Sequence, residues 1–400
     1  MTRPFALFHN PLALPDAPYG RAQDTIMSAA DHQAAFDEIT HWPGYAPTPL
    51  LPLDDVARAL GLAAVHYKDE GGRFGLGSFK ALGGAYAVRQ HLARLLAAEL
   101  GRPVATQELL DGRHRALTQA VTVATATDGN HGRSVAWGAQ LFGCRAVIYI
   151  HQEVSPGRQA AIERYGATVV RTPGVYDDSV RRCAADAAAN GWTVVSDTSY
   201  EGYREIPRTV MHGYTVMVEE ALRQSSEPPT HAFVQGGVGA LPAAVAGHLW
   251  QRAPGRRPRV VVVEPERAAC LFATARAGKP TAVTGKLDTM MAGLACGEVS
   301  PLAWDMLMRA ADDFMTIPDA AAIDAMRLLA ARRPPVVAGE SAVAGLAALR
   351  AAAADDAARR ALGLDASSRV LLFGSEGATD PVLYERIVGH APDRVARALT

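Results

Sequence analysis

Four cysteines in 400 residues, at positions 144, 183, 270 and 296, form no CxxC pair. A zinc site or a thioredoxin-type redox site is therefore not expected, and a chain of this length has core enough to fold without disulfides. Net charge is equally sparse, since 40 Lys and Arg against 41 Asp and Glu leave −1 at pH 7. That balance carries no electrostatic footprint for nucleic acid or an acidic membrane. The local basic cluster Arg256-Arg257-Pro258-Arg259 precedes an apolar run and reads as solvated charge capping a buried strand. No apolar run is long enough to span a bilayer, and no signal-like apolar region follows Met1-Thr2-Arg3-Pro4. A soluble cytoplasmic protein is expected. GxGxxG and Walker sequences are missing as well, which argues against a dinucleotide-binding dehydrogenase.

What is present is apolar surface: hydrophobic residues make up 49% of the chain, enough for two domains or one large α/β unit. Residues 1–50 read as an irregular arm with one or two short helices. Beyond them, short β-branched runs alternate with Ala-rich helical stretches. The expected strands are Val121–Thr127, Ala146–Ile150, Thr168–Arg171, Thr193–Ser196, Ala232–Gln235, Val260–Val263 and Val370–Phe373. Helical patterns follow several of them, at Ser134–Phe142, Gly157–Tyr165, Asp177–Asn190 and Leu241–Trp250. Continuous apolar strands separated by helices predict parallel sheets covered on both faces. The strands at 121–196 form one series, and those at 232–263 and 370–373 another. Ser225–Thr230 is a surface connection, and Ala351–Leu362 is expected to be an exposed helix.

Four segments carry chemistry. In Gly71-Gly-Arg-Phe-Gly-Leu-Gly-Ser-Phe-Lys80 a glycine-rich loop runs into a helical pattern with a lysine at its first turn. Apolar surroundings and a helix N-terminus disfavour the ammonium form, as Schiff-base chemistry needs; a solvated lysine is the plain alternative. Thr125-Ala-Thr-Asp-Gly-Asn-His-Gly132 is a strand-to-helix turn suited to a carboxylate, or an ordinary turn. Gln235-Gly-Gly-Val-Gly-Ala240 lets backbone approach a monophosphate at a helix N-terminus, or is simply a tight turn. Phe373-Gly-Ser-Glu-Gly-Ala-Thr-Asp-Pro381 ends a late strand with a serine able to bond a ring nitrogen.

Taken in order, these segments resemble the fold-type II, tryptophan-synthase-like enzymes that use pyridoxal 5'-phosphate (PLP). Further stretches narrow the resemblance: Phe79-Lys-Ala-Leu-Gly-Gly, Ala126-Thr-Asp-Gly-Asn-His-Gly-Arg, Tyr176-Asp-Asp, Asp197-Thr, Glu201-Gly-Tyr and Met290-Met-Ala-Gly-Leu-Ala-Cys-Gly-Glu. Over roughly residues 40–385 the chain is similar to the diaminopropionate ammonia-lyases, departing at Gly77-Ser78, where that family is expected to carry Asn-Ala.

The resemblance implies an α/β fold of two parallel-sheet αβα domains with the active site in the cleft between them. The expected large, PLP-binding domain comprises residues 1–95 and 203–400; the small domain, 96–202, carries the Asp-Gly-Asn-His loop. Lys80 would carry PLP as a Schiff base. Gly236, Gly237, Val238, Gly239 and Ala240 would hold the phosphate, Asn130 the ring hydroxyl and Ser375 the ring nitrogen. Thr127, Asp128, His131 and Asp197 would bind substrate, with Lys80 and Asp128 as bases on opposite faces of the cofactor. Asp197 otherwise reads as a helix cap. Cys270 and Cys296 are expected to be reduced thiols. The implied reaction is elimination from D- and L-2,3-diaminopropionate to pyruvate and two ammonia, with no metal, by a homodimer. A serine or threonine dehydratase of the same fold, and a non-catalytic PLP-binding protein, are the alternatives.

Overall fold

The computed structural model describes residues 5–127 and 129–397. Eleven strands occur among them. In chain order they are β1 (Ala6–His9), β2 (Leu50–Pro52), β3 (Ala64–Asp69), β4 (Thr122–Ala126), β5 (Arg145–His151) and β6 (Thr168–Thr172). They continue with β7 (Thr193–Val194), β8 (His231–Gln235), β9 (Arg259–Pro265), β10 (Asp313–Ile317) and β11 (Arg369–Gly374). The chain divides into two units. One comprises Met1–Ala30, Ala46–Ser78 and Met217–Thr400; the other comprises Asp31–Tyr45 and Phe79–Val216. No helix among the described residues is long and apolar enough to cross a membrane.

The first unit is built on a seven-stranded sheet of order β1-β10-β9-β8-β11-β3-β2. Its five central strands are parallel, and the short edge strands β1 and β2 run antiparallel. Pro52 ends β2 on that edge, where its missing N–H costs no ladder bond. The second unit holds a four-stranded parallel sheet of order β6-β5-β4-β7. The parallel α/β architecture and its two strand series are those read from the apolar runs. All seven expected strands form, with ends shifted by up to two residues.

Other expectations are corrected. The units divide at 30/31, 45/46, 78/79 and 216/217, where domain boundaries at 95/96 and 202/203 were expected. The reason is helix packing: the helix Lys80–Leu100 is seated on the helix Asn130–Phe142 so closely that a Cβ on Gly84 would lie 2.3 Å from Ser134 Oγ. One on Gly138 would lie 2.7 Å from Ala85 Cα. The Arg256–Arg259 cluster is not wholly solvated, because Arg257 is buried in a two-pronged bond to Asp312 (2.6 and 2.9 Å). The Ala-rich stretch is two helices, Ala344–Ala354 and Asp356–Leu362, broken at Asp355, which caps the second. The first is buried: Gly345 lies so near β8 that a Cβ there would stand 2.7 Å from Phe233 O.

At the end of β9, buried Glu264 fastens the helix Cys270–Ala277 by accepting from Leu271 N (2.8 Å) and Phe272 N (2.7 Å). Burial pushes its carboxyl up to about 8, against the two N–H bonds that pull the other way. The folded protein therefore keeps a proton that the unfolded chain releases above its ordinary value of 4.5. This stability is complete below that value and is lost as pH rises towards 8. Thermal midpoints measured across pH 5 to 8 are expected to fall. In Glu264→Gln, lower throughout because an amide N–H replaces one acceptor, that part of the slope should disappear.

Candidate active site

The chain has only four lysines, at 68, 80, 279 and 286. Lys68 is locked inside the first unit against Glu220 (2.7 Å), Thr48 O and Gln224, while Lys279 and Lys286 are exposed. Lys80, the first residue of its helix, stands apart in the second unit. Its Nζ is paired with the Asp197 carboxylate, the two side chains being 21% and 14% exposed. Burial alone would raise the Asp197 carboxyl; the Lys80 and His131 charges and the lysine hydrogen bond override it and hold the group well below the usual range. The helix-cap reading of Asp197 gives way to this ion pair.

His131 completes the cluster. Its Nε2 lies 2.8 Å from Val195 O, and a carbonyl only accepts, so that nitrogen carries the hydrogen. Nδ1 is left as a bare lone pair 3.9 Å from Asp197 Oδ2, without a hydrogen-bond partner among the described residues. Burial, with the Lys80 charge, lowers the pKa of the ring below its ordinary 6.5 although Asp197 raises it. The neutral ring of His131 thus offers an acceptor, which suits an ammonium. Thr127 shapes the loop itself: its Oγ1 accepts from Gly129 N and Gly132 N, both at 3.0 Å. Gly132 is required there, since a Cβ would lie 2.3 Å from the Thr127 methyl group. Asn130 opens the helix Asn130–Phe142. Asp128 lies outside the described residues.

In the first unit, β8 and β11 are neighbours and end side by side. At the end of β8 the turn Gly236–Gly239 leads into the helix Ala240–Arg252, so Ala240 is its first residue and Gly239 its cap. The glycines are dictated by close neighbours. A Cβ on Gly236 would meet Leu271 at 2.5 Å, and Gly239 sits at φ +106°. Gly237 and Val238 form the partly exposed crest of the turn. Ser375 follows β11 and is buried.

Gln235, to which the sequence reading gave no role, joins the two strand ends. Its Nε2 donates to Phe373 O and to Ser375 Oγ, both at 2.7 Å. The carbonyl fixes which amide atom is the nitrogen, so Ser375 must accept from it and direct its own proton elsewhere. Ser375 is thereby set to donate, while Gln235 Oε1 stays buried without a partner among the described residues. An unpaired buried acceptor costs on the order of 1–3 kcal/mol. A glycine turn at a helix N-terminus and a serine poised to donate fit a phosphorylated pyridine, placed at the strand ends where open α/β sheets bind ligands.

The glycine loop before Lys80 is anchored from below. Arg73 is buried and bonds Glu70 (2.8 Å) and Glu220 (2.7 and 2.8 Å), with Lys68 also on Glu220 and Thr48 on Glu70. Two buried carboxylates thus face two buried cations. Further on, Gly77 O accepts from Gly377 N (3.0 Å) and Ser78 pairs with Glu376, tying the loop to the segment after Ser375. Gly77 has φ +78°, a conformation open to glycine and, next best, asparagine. The departure from the expected Asn-Ala therefore keeps the backbone requirement.

The sequence profile of the family described as pyridoxal-phosphate dependent enzyme matches residues 41–373, and the chain belongs to that family. Within it, the chain is 39% identical over 364 residues to diaminopropionate ammonia-lyase of Escherichia coli K12, covering 88% of this chain and 90% of that protein. The Salmonella typhimurium diaminopropionate ammonia-lyase is likewise 39% identical, over 360 residues, covering 86% of this chain and 89% of that protein. Among solved structures, holo diaminopropionate ammonia lyase from Escherichia coli superimposes with a TM-score of 0.87 at 35% identity, covering 97% of both chains.

Proposed function

We propose that this chain is a diaminopropionate ammonia-lyase, removing the β-amino group of D- and L-2,3-diaminopropionate with PLP and yielding pyruvate and two ammonia. The observation that carries the reading is the Lys80–Asp197 pair, in which a carboxylate faced by the bare Nδ1 of His131 holds a primary alkylammonium. The ammonium of Lys80 stands in for the β-ammonium of the substrate. Serine and threonine offer a hydroxyl there and forgo the charge attraction, worth on the order of 4 kcal/mol at about 4 Å and an effective dielectric near 20, before desolvation.

The residues divide the work. Gly236 to Ala240 would hold the phosphate, Ser375 the ring nitrogen, Asn130 the ring hydroxyl, and Lys80 would hold the cofactor covalently. When bound, PLP supplies an electron sink for the charge that develops at the substrate α-carbon. Thr127 and its loop bind the substrate carboxylate. Lys80 removes the α-proton of one enantiomer and Asp128 that of the other. Asp197 keeps the β-nitrogen protonated, so it departs as neutral ammonia with the carbon–nitrogen bond electrons and needs no separate acid. The enamine product then hydrolyses in water to pyruvate and the second ammonia.

The test is an assay of kcat/KM on D- and L-diaminopropionate, L-serine and L-threonine, with product stoichiometry. Two ammonia per pyruvate and a clear preference for the diamine are expected. Serine or threonine turned over equally well would install the dehydratase reading. Silence on the D-enantiomer would remove Asp128 from its role as second base.

A further inference from the structure

Tyr214 lies in the middle of the helix Glu205–Gln224, in the same unit as Lys80. Its ring packs on Phe79, with centroids 4.6 Å apart, and Lys80 Nζ lies 5.5 Å from the centroid of that same Phe79 ring. Two glycines make the approach possible. A Cβ on Gly83 would stand 2.4 Å from the Tyr214 ring, and one on Gly213 would stand 2.2 Å from Leu82 O. The helix Lys80–Leu100 and the helix carrying Tyr214 thus meet with backbone contact beside Lys80.

The tyrosine is wholly buried, and its hydroxyl lies within reach of Lys80 without a well-aligned hydrogen bond to any described residue. Burial pushes this hydroxyl up in pKa; the Lys80 charge draws it down, Asp197 raises it, and hydrogen bonding to Lys80 draws it down again, so it feels both members of the ion pair. A buried hydroxyl normally finds a partner. Here the nearby group that moves during the reaction is the amine of Lys80.

We propose that Tyr214 is a positioning residue that receives the Lys80 side chain when a substrate ammonium takes its place at Asp197. The inference rests on the reading of Asp197 as the β-ammonium site. Lys80 leaves the cofactor as a free amine, its nitrogen gaining the two hydrogens that the incoming amine gives up. One carbon–nitrogen double bond replaces another. If Asp197 is already occupied, the released amine needs a second polar contact in an apolar wall. A phenol provides it in either charge state, donating to a neutral amine or accepting from an ammonium.

The test uses the cofactor-loaded protein and two amino acids that cannot undergo β-elimination. L-2,4-diaminobutyrate carries a second ammonium; L-alanine does not. Borohydride trapping followed by mass spectrometry of the Lys80 peptide measures how much cofactor each compound has displaced from the lysine. In Tyr214→Phe, displacement by diaminobutyrate is expected to weaken about ten-fold. Displacement by alanine, which leaves Asp197 open to Lys80, should change less than about two-fold. The thermal midpoint should stay level, because the hydroxyl has no well-aligned hydrogen bond to lose. Equal effects on both compounds, no effect on either, or a fall in the thermal midpoint accompanying the loss would overturn the inference. In the parent protein, diaminobutyrate displacing no better than alanine would instead sink the reading of Asp197, and this inference with it.

Discussion

Lys80→Ala is expected to abolish fixation of the cofactor by borohydride and to reduce turnover on L-diaminopropionate by about 10³-fold or more. Loss of a positioned general base alone is worth roughly 10²- to 10⁴-fold, and Lys80 is assigned covalent attachment as well. With four lysines in the chain, peptide mapping has few alternatives to separate. Lys68 is committed to a buried ion cluster, and Lys279 and Lys286 stand in solvent. Label on any of these, or turnover within ten-fold of the parent, would remove Lys80 from its role. The variant should also lose thermal stability near neutral pH, because the Asp197 carboxylate keeps its partial burial and loses its cation.

Asp197→Asn should lower kcat/KM for diaminopropionate by about 10²- to 10³-fold, the range expected when one member of a largely desolvated charge pair is removed. The amide preserves shape and still accepts from a lysine or substrate amine, but it brings no charge to the β-nitrogen. Activity on L-serine, which has no ammonium there, should fall less than ten-fold. The ratio of the two activities is the measurement that matters. Parallel losses on both substrates would mean that Asp197 acts through Lys80 and does not recognise the leaving group. Borohydride should still fix the cofactor on Lys80 in this variant.

The fold was legible wherever strands bury both faces. β8, β9 and β11 announce themselves as unbroken apolar runs with a glycine turn or helix pattern behind them. β3 did not, because Lys68 and Asp69 interrupt its apolar character, and Lys68 is buried against Glu220, 152 residues away. β10 escaped for a related reason: it opens at Asp313, which answers Arg259 from the neighbouring strand. Charge pairs formed across long sequence separations leave no periodic trace.

At the site, glycine turns and the lysine were readable because backbone geometry restricts residue choice locally. Gln235 was inside a recognised segment, but its task depends on Phe373 and Ser375 on another strand. Tyr214 received no reading from the sequence; the signal that distinguishes it is Gly83, which clears space for its ring, with Gly213, which lets its helix approach Leu82 O. The direction of the His131 lone pair was likewise beyond the sequence, since Val195 O sets it.

The shortage of lysine has a practical side. Apart from Lys80 and the enclosed Lys68, side-chain amines are found only at Lys279 and Lys286, seven positions apart in the stretch that follows the helix Cys270–Ala277. Outside the cofactor site, acylating dyes and aldehyde-activated supports therefore meet a single short stretch of this chain among its side chains. A fluorophore placed there would report from one known address, and a column coupled there would leave most of the surface unmodified.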